Sequence, residues 1–488
     1  MFHNALLTRL TLSVAALAFV PQAAVAQDSA AAVLKRASAA MGEPRTIRYA
    51  GEGTGWTFGQ AYKPGMPWPK IDIQSVTRTM NYASSSMREE IAFSRGEPQG
   101  GGGYPLAGQQ RNDQYLNGSY AWNGTAGAAA PGPRFVIDRT HQLWISPHGV
   151  ISAAQRNNAT VTWPAKGGKS LAAVTFTEAG KFAATAFIND DYLVERVESR
   201  FPDPVLGEAS TVTTYSNYRD YGGVKFPGRI QQSQGGHPVL DLTIKEVQPN
   251  APAEYAVPDN VRAAAERVTT EKVADGVWFV AGGSHNSVAI EMKDHLILVE
   301  APLNDARSGL VIEEVKKLAP GKALRYVVNS HHHFDHSGGL RAAAAAGATV
   351  LVHAQSKAYF DRAFATHSKV LPDLLARSKR KASVRAVKDR MTLSDGARTV
   401  QIMTIAESNH AEGFMMVYLP KERLLIEADA YTPIPPGAKP PATPNANNVN
   451  LVVNLDGFRL AIDRILPLHG RVVPLADLYT TAGRPLPK

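Results

Sequence analysis

The stretch Asn329-Ser330-His331-His332-His333-Phe334-Asp335-His336-Ser337-Gly338-Gly339 directly follows the apolar run Leu324–Val328. Four of the chain's 14 histidines fall inside it. Neutral imidazole suits Zn²⁺, and a carboxylate adds the charge a second divalent ion needs. Side chains two apart in an extended segment point the same way, so His331 and His333 can chelate one ion. Asp335 and His336 lie further along and can serve another, while His332 points away. Gly338 and Gly339 let the backbone turn tightly into the next helix.

The surroundings read as alternating strands and helices. Val277–Ala281, Ser287–Met292, Leu296–Glu300, Leu324–Val328 and Thr349–Val352 are predicted strands. Asp305–Leu318 has helical spacing, with Asp305 as N-cap and Leu310, Val311, Val315 and Leu318 on one face. Leu340–Ala346 is a second helix. This alternation predicts an α/β domain over 268–488, with its chemistry at the carboxyl ends of strands. A basic run from Arg377 to Arg390 is read as the solvated face of a helical insertion. His353 is assigned to packing. The proline-rich segment Pro433–Pro444 is expected to loop over the site.

Residues 27–250 have a different grammar. Leu240, Leu242 and Ile244 alternate with Asp241, Thr243 and Lys245, the period of a half-buried strand. Thr211–Tyr218 and Val224–Gln232 flank Tyr221-Gly222-Gly223, a hairpin turn. Gly100–Gly103 and Ala126–Pro133 read as flexible loops. The expectation is a mostly antiparallel β-rich domain. Pro249, Pro252 and Pro258 punctuate the connection, with a linker set at 251–267, and a short helical stretch Val261–Val268 follows the prolines.

Composition bounds what remains. Hydrophobic residues are 44% and charged residues 19%, so the chain is neither disordered nor collagen-like. At 488 residues it is long enough for several domains. With no cysteine, it has no disulfide, thiol nucleophile, cysteine-ligated metal or lipid-modified cysteine. Met1–Ala26 reads as a secretory signal: Arg9, the apolar run Leu10–Val20, then Ala24-Val25-Ala26 before Gln27. Its removal takes the formal charge from +9 to +8. No other stretch is long and apolar enough for a membrane span. The expected location is the periplasm or outside the cell, with a small-molecule substrate and no nucleic-acid partner.

The histidine run resembles the signature of the metallo-β-lactamase-fold hydrolases, and the likeness extends over about 268–488. The resemblance implies an αββα sandwich and a set of later ligands in order. His410, in Ser408-Asn409-His410-Ala411-Glu412-Gly413, would complete the first metal site with His331 and His333. Asp429 would bridge to the second, as in the glyoxalase II and lactonase branches. His469, in Leu466-Pro467-Leu468-His469-Gly470, would complete that second site with Asp335 and His336. Glu300 stands where the family usually has a buttressing aspartate. His285 and Tyr431 are candidate substrate contacts, Tyr431 as a donor to a developing oxyanion. The N-terminal block loosely resembles the curved sheets of periplasmic lipoprotein carriers.

The chemistry so implied is two Zn²⁺ ions, with Mn²⁺ or Fe²⁺ as alternatives. They activate water for attack on an ester, lactone, thioester or amide, and Asp335 orients the nucleophile. The competing readings are a β-lactamase proper, a mononuclear iron persulfide dioxygenase, a nuclease, and a lipid-binding module without catalysis. Retention of all seven ligand types argues against the last of these.

Overall fold

A computed structural model describes residues 28–97, 108–125, 128–166, 169–170 and 172–486. The expected signal segment 1–26 and the expected loop at 100–103 lie outside the described residues.

Among the described residues the first half of the chain builds one 13-stranded sheet in which every described pairing is antiparallel. Its strands alternate as a sheet with one packed face must: Phe182–Ile188 and Gly207–Asp220 bury every second residue for most of their length. The packed face is covered by the helices Ala30–Met41, Val136–Trp144 and Pro147–Arg156, which contribute Val33, Leu34, Leu143, Trp144, Val150 and Ile151 to its core. Gly207–Asp220 and Lys225–Gln234 form the expected hairpin. Ala128–Pro131, read from sequence as part of a flexible loop, instead adds the edge strand beside Tyr120–Thr125. Backbone pairing there outweighs the small side chains that suggested a loop. After this sheet, Ala251, Ala253, Val257 and Val261 are buried. Val257 and Val261 pack with Trp122, so the proline-rich connection is held against the sheet. Only Asp259–Arg262 of it is helical, earlier and shorter than expected.

The remainder is an αββα sandwich, as expected. One sheet orders the strands Thr269–Ala274, Val277–Ala281, Ser287–Glu291, His295–Val299, Ala323–Val328, Thr349–His353 and Ser383–Val387. It is antiparallel at first and parallel from His295–Val299 onward. The other sheet runs from Arg390–Ser394 through Thr399–Thr404, Met415–Leu419, Leu424–Glu427 and Arg464–Pro467 to Val473–Pro474. Val277, Ile290, Ile297 and Val328 of the first sheet share a core with Ile402, Met415, Val417 and Ile426 of the second. Helices Asp305–Leu318, Leu340–Ala345 and Ala354–Ala365 cover the first sheet through Val311, Val315, Leu340, Ala343 and Phe360.

Two local readings are corrected. The helix starting at Asp305 is capped by Asn304, whose side chain accepts from the Arg307 amide, and Leu310 is exposed. Asp305 instead accepts from the Leu374 amide. The basic run is not a helical insertion. Leu374–Ser378 is a short helix, but Ser383–Val387 is a strand: Val384 and Ala386 are half-buried on one face, Val387 is buried on the other, and Ser383 and Arg385 are exposed.

Candidate metal centre

The strands end where the chemistry is. His331–His336 follows Ala323–Val328, His410 follows Thr399–Thr404, Asp429 follows Leu424–Glu427, and His469 follows Arg464–Pro467. The loops are tied to one another through their backbones. The Met415 amide donates to Ser330, Leu303 to Asp335, and Asn286 to Leu468. Ser337 Oγ donates to the His333 carbonyl, closing the short turn that carries Asp335 and His336.

The side chains converge in two groups whose potential donor atoms lie within 4.8 Å of one another: His331, His333, His410 and Asp429; and His285, Asp335, His336 and His469. His410 Nε2 is 3.0 Å from His331 Nε2, and His336 Nε2 is 3.2 Å from His469 Nε2. Asp429 lies between the groups. Its Oδ2 is 3.0 Å from His410 Nε2, while its Oδ1 is 2.9 Å from both His336 Nε2 and His469 Nε2.

The other ring nitrogens of His336, His469 and His331 are committed elsewhere, whereas His410 Nδ1 is buried without a hydrogen-bond partner. His336 Nδ1 faces Glu300 Oε2 at 3.4 Å, and His469 Nδ1 donates to the Ser284 carbonyl at 3.1 Å. His331 Nδ1 is 3.0 Å from Ser330 Oγ. His333 is the inverse: its Nε2 donates to the Ala61 carbonyl, and its buried Nδ1 has no hydrogen-bond partner. Fixing one nitrogen by a hydrogen bond sets which lone pair the ring presents.

Electrostatics point the same way. Burial and the neighbouring imidazoles hold His331 and His333 well below the ordinary histidine value, hence neutral. Burial alone would raise the carboxyls of Asp335 and Asp429. His336 nonetheless pulls both down, helped by His285 at Asp335 and by His410 at Asp429. His336 is raised well above its ordinary value despite burial, because Asp429, Asp335 and Glu300 all face it. A buried cluster with ionised Asp335 and Asp429, neutral His331 and His333, and His336 drawn toward protonation attracts positive charge to its middle, which fits divalent cations.

The structure revises the sequence reading of His285 and Tyr431, and places His332 and Glu300 as expected. His285, assigned to substrate contact, is 5% exposed and stands in the second group, its Nε2 3.2 Å from Asp335 Oδ2. Burial lowers its pKa to about 4. Tyr431 belongs to the core of the second sheet and to neither donor group. It is 1% exposed and so is no evident oxyanion donor. His332 points away from both groups, donating to the Ala61 carbonyl at 2.8 Å. Glu300 takes the buttressing position. Fully buried, it accepts from Asn329 Nδ2 and Ser330 Oγ as well as facing His336.

Sequence reading missed a contribution from the β-rich N-terminal domain. Gln60 Nε2 donates to Asp335 Oδ1 at 2.8 Å, across 275 positions of chain. Nothing in the local sequence Phe58-Gly59-Gln60-Ala61 signals such a role.

Residues 280–464 match the family model of the metallo-beta-lactamase superfamily. Solved structures similar to this chain include a metallo-beta-lactamase from Pontibacter korlensis, 15% identical, covering 44% of this chain and 98% of that one with a TM-score of 0.34. Another, from Hirschia baltica, is 20% identical and covers 45% and 99%, with a TM-score of 0.33. A third, from Pseudomonas aeruginosa in its mono-zinc form, is 19% identical and covers 44% and 93%, with a TM-score of 0.32. No curated protein sequence matches the chain. Taken with the αββα sandwich described above, the family match at 280–464 gives the C-terminal domain the metallo-beta-lactamase fold, preceded by a large β-rich domain.

Proposed function

We propose that the protein is a metal-dependent hydrolase of an ester, lactone, thioester or amide. In this reading His331, His333 and His410 hold one divalent cation. Asp335, His336 and His469 hold a second, with Asp429 reaching both. The observation that carries it is the Asp429 carboxylate, which gives one oxygen to each donor group. The imidazole-rich donor set suits Zn²⁺, with Mn²⁺ or Fe²⁺ as alternatives. Bound there, such a pair supplies Lewis acidity, acidifying water and polarising an acyl oxygen.

The protein's own groups supply the rest. Glu300 and the Ser284 carbonyl orient His336 and His469 from behind, so that each offers Nε2 to the site. Asp335 is one-third exposed, unlike its buried histidine neighbours, and so stands at the mouth. Its Oδ1 is held by Gln60, leaving Oδ2 to face the second donor group beside His285 and His336, where it would orient the attacking water. No thiol nucleophile is present to compete with water.

The test is elemental analysis of the purified full-length protein joined to a chromogenic panel of esters, lactones, thioesters and β-lactams. The expected result is turnover of one class, abolished by a chelator and restored by Zn²⁺. Full metal loading without hydrolysis across the panel, or hydrolysis indifferent to the chelator, would overturn the proposal. We also propose that residues 1–26 are a cleaved export signal, so that the enzyme acts on a small molecule in the periplasm or outside the cell. Amino-terminal sequencing of protein from the native host should then begin at Gln27, and an intact Met1 would refute it.

A further inference from the structure

The segment Thr57–Pro69 joins the paired strands Thr46–Trp56 and Lys70–Asn81 of the first sheet, where a turn of a few residues would suffice. Instead it crosses to the sandwich domain and lies along the metal-binding loops. The Phe334 amide donates to the Gly59 carbonyl at 3.1 Å, and the Glu412 amide to the Tyr62 carbonyl at 2.8 Å. Tyr62 Oη donates to the Ser408 carbonyl at 3.0 Å. Phe58 and Trp68 close edge-on around the Phe334 ring, with centroids 5.1 and 5.8 Å away. Gly59 has φ +81°, and a Cβ there would stand 2.6 Å from Phe334 Cγ, so the approach admits only glycine. The strap thus touches both loops that carry the first donor group's histidines, the one at His331–His336 and the one at His410.

Two of its atoms reach further. The Ala61 carbonyl accepts from His332 Nε2 at 2.8 Å and from His333 Nε2 at 3.1 Å. A carbonyl oxygen only accepts, so both nitrogens carry hydrogen. His333 is thereby fixed with its lone pair on Nδ1, the buried atom that lacks a hydrogen-bond partner. Gln60, nearly buried, donates to Asp335 Oδ1 and turns Oδ2 toward His285 and His336. One peptide segment from the other domain therefore sets the presenting atom of a residue in each donor group.

We propose that the strap Thr57–Pro69 is a working part of the metal centre: Ala61 and Gln60 are positioning residues that select the ligating face of His333 and the free oxygen of Asp335. The β-rich domain completes the site of the sandwich domain, and cation loading and strap docking are coupled. This rests on the metal-binding reading above, and the experiment separates the two.

Full-length protein is stripped with a chelator and titrated with Co²⁺ and Zn²⁺ against a competing chromogenic chelator, as the native chain, Gln60→Leu and Gly59→Ala. Hydrogen exchange of the native chain is followed with and without Zn²⁺. The expected result is a cation affinity about 10- to 100-fold weaker in each variant, the scale on which groups orienting metal ligands act. The Co²⁺ absorption bands should shift, and peptides spanning 57–63 in the native chain should exchange more slowly once Zn²⁺ is bound. If Gln60→Leu keeps native affinities and a native Co²⁺ spectrum, and the strap's exchange ignores Zn²⁺, the proposal is overturned while the metal reading stands. A native chain that takes up no cation overturns both. The exchange measurement needs no variant, so a misfolded substitution leaves the test intact.

Discussion

Glu300 shows how one residue can bind several ligand-bearing loops together. Its side chain is fully buried, its φ is +72°, and it is the shared acceptor for Asn329, Ser330 and the ring of His336. The left-handed backbone is unfavourable for a residue with a long side chain, and it is held here because three donors converge on the carboxylate. Glu300→Ala would leave those donors buried without an acceptor. Urea unfolding should show a loss of about 2–4 kcal/mol. A loss below 0.5 kcal/mol would mean that the donors find other partners and that Glu300 is dispensable. His285 teaches the complementary lesson. A lone histidine on an early turn carries no spacing signal, and only the folded chain puts its Nε2 beside Asp335.

At the scale of elements, the pair Gly338-Gly339 fixes how closely the histidine loop seats on its neighbours. Both have negative φ, so the reason for glycine is space rather than backbone freedom. A Cβ on Gly339 would lie 1.9 Å from Ser308 Oγ, and one on Gly338 would lie 2.0 Å from the Leu303 carbonyl oxygen. Gly339→Ala should therefore destabilise the chain by about 1–3 kcal/mol, the range for overpacking, with a lower melting temperature. An unchanged melting temperature would show that Ser308 yields freely. The elements that sequence revealed best were those with strict periods, such as Leu240–Ile244, or with a short apolar run, such as the strand before His331. Boundaries set by competition were less legible. Asn304 outcompeted Asp305 as the cap, and the charge of the basic run masked the period-two burial of Ser383–Val387. Within the metal centre, the histidine run announced itself through local spacing. Gln60 and Ala61 could not, because common residue types 270 or more positions away leave no local pattern.

The whole molecule is held together at more than the strap. Val205, from the turn after Val194–Asp203 of the first sheet, is fully buried in the helical core of the sandwich domain. The large sheet is thus both scaffold for the strap and a packing partner, and its own stability bears on the site. His141 lies in its core, 2.7 Å from Ser199 Oγ and stacked on Phe201 at 4.5 Å, with burial lowering its pKa to about 3. A folded-state pKa below the unfolded value of about 6.5 means that the neutral ring's contribution is complete above pH 6.5 and is lost as pH falls toward 3. His141→Gln removes that titration. The stability difference between native and variant chains should drift by about 1.4 kcal/mol per pH unit between pH 6 and 4, to the native chain's disadvantage as pH falls. A difference that stays constant over this range would contradict a buried neutral His141.

The central claim is that two donor groups sharing Asp429 hold a pair of cations. Anomalous diffraction at the zinc absorption edge, from crystals of the full-length protein grown with Zn²⁺, tests it most directly. The account predicts two peaks, one among His331, His333 and His410 and one among Asp335, His336 and His469, with an Asp429 oxygen reaching toward each. A saturated crystal with a single peak, or with peaks outside these side chains, would contradict it.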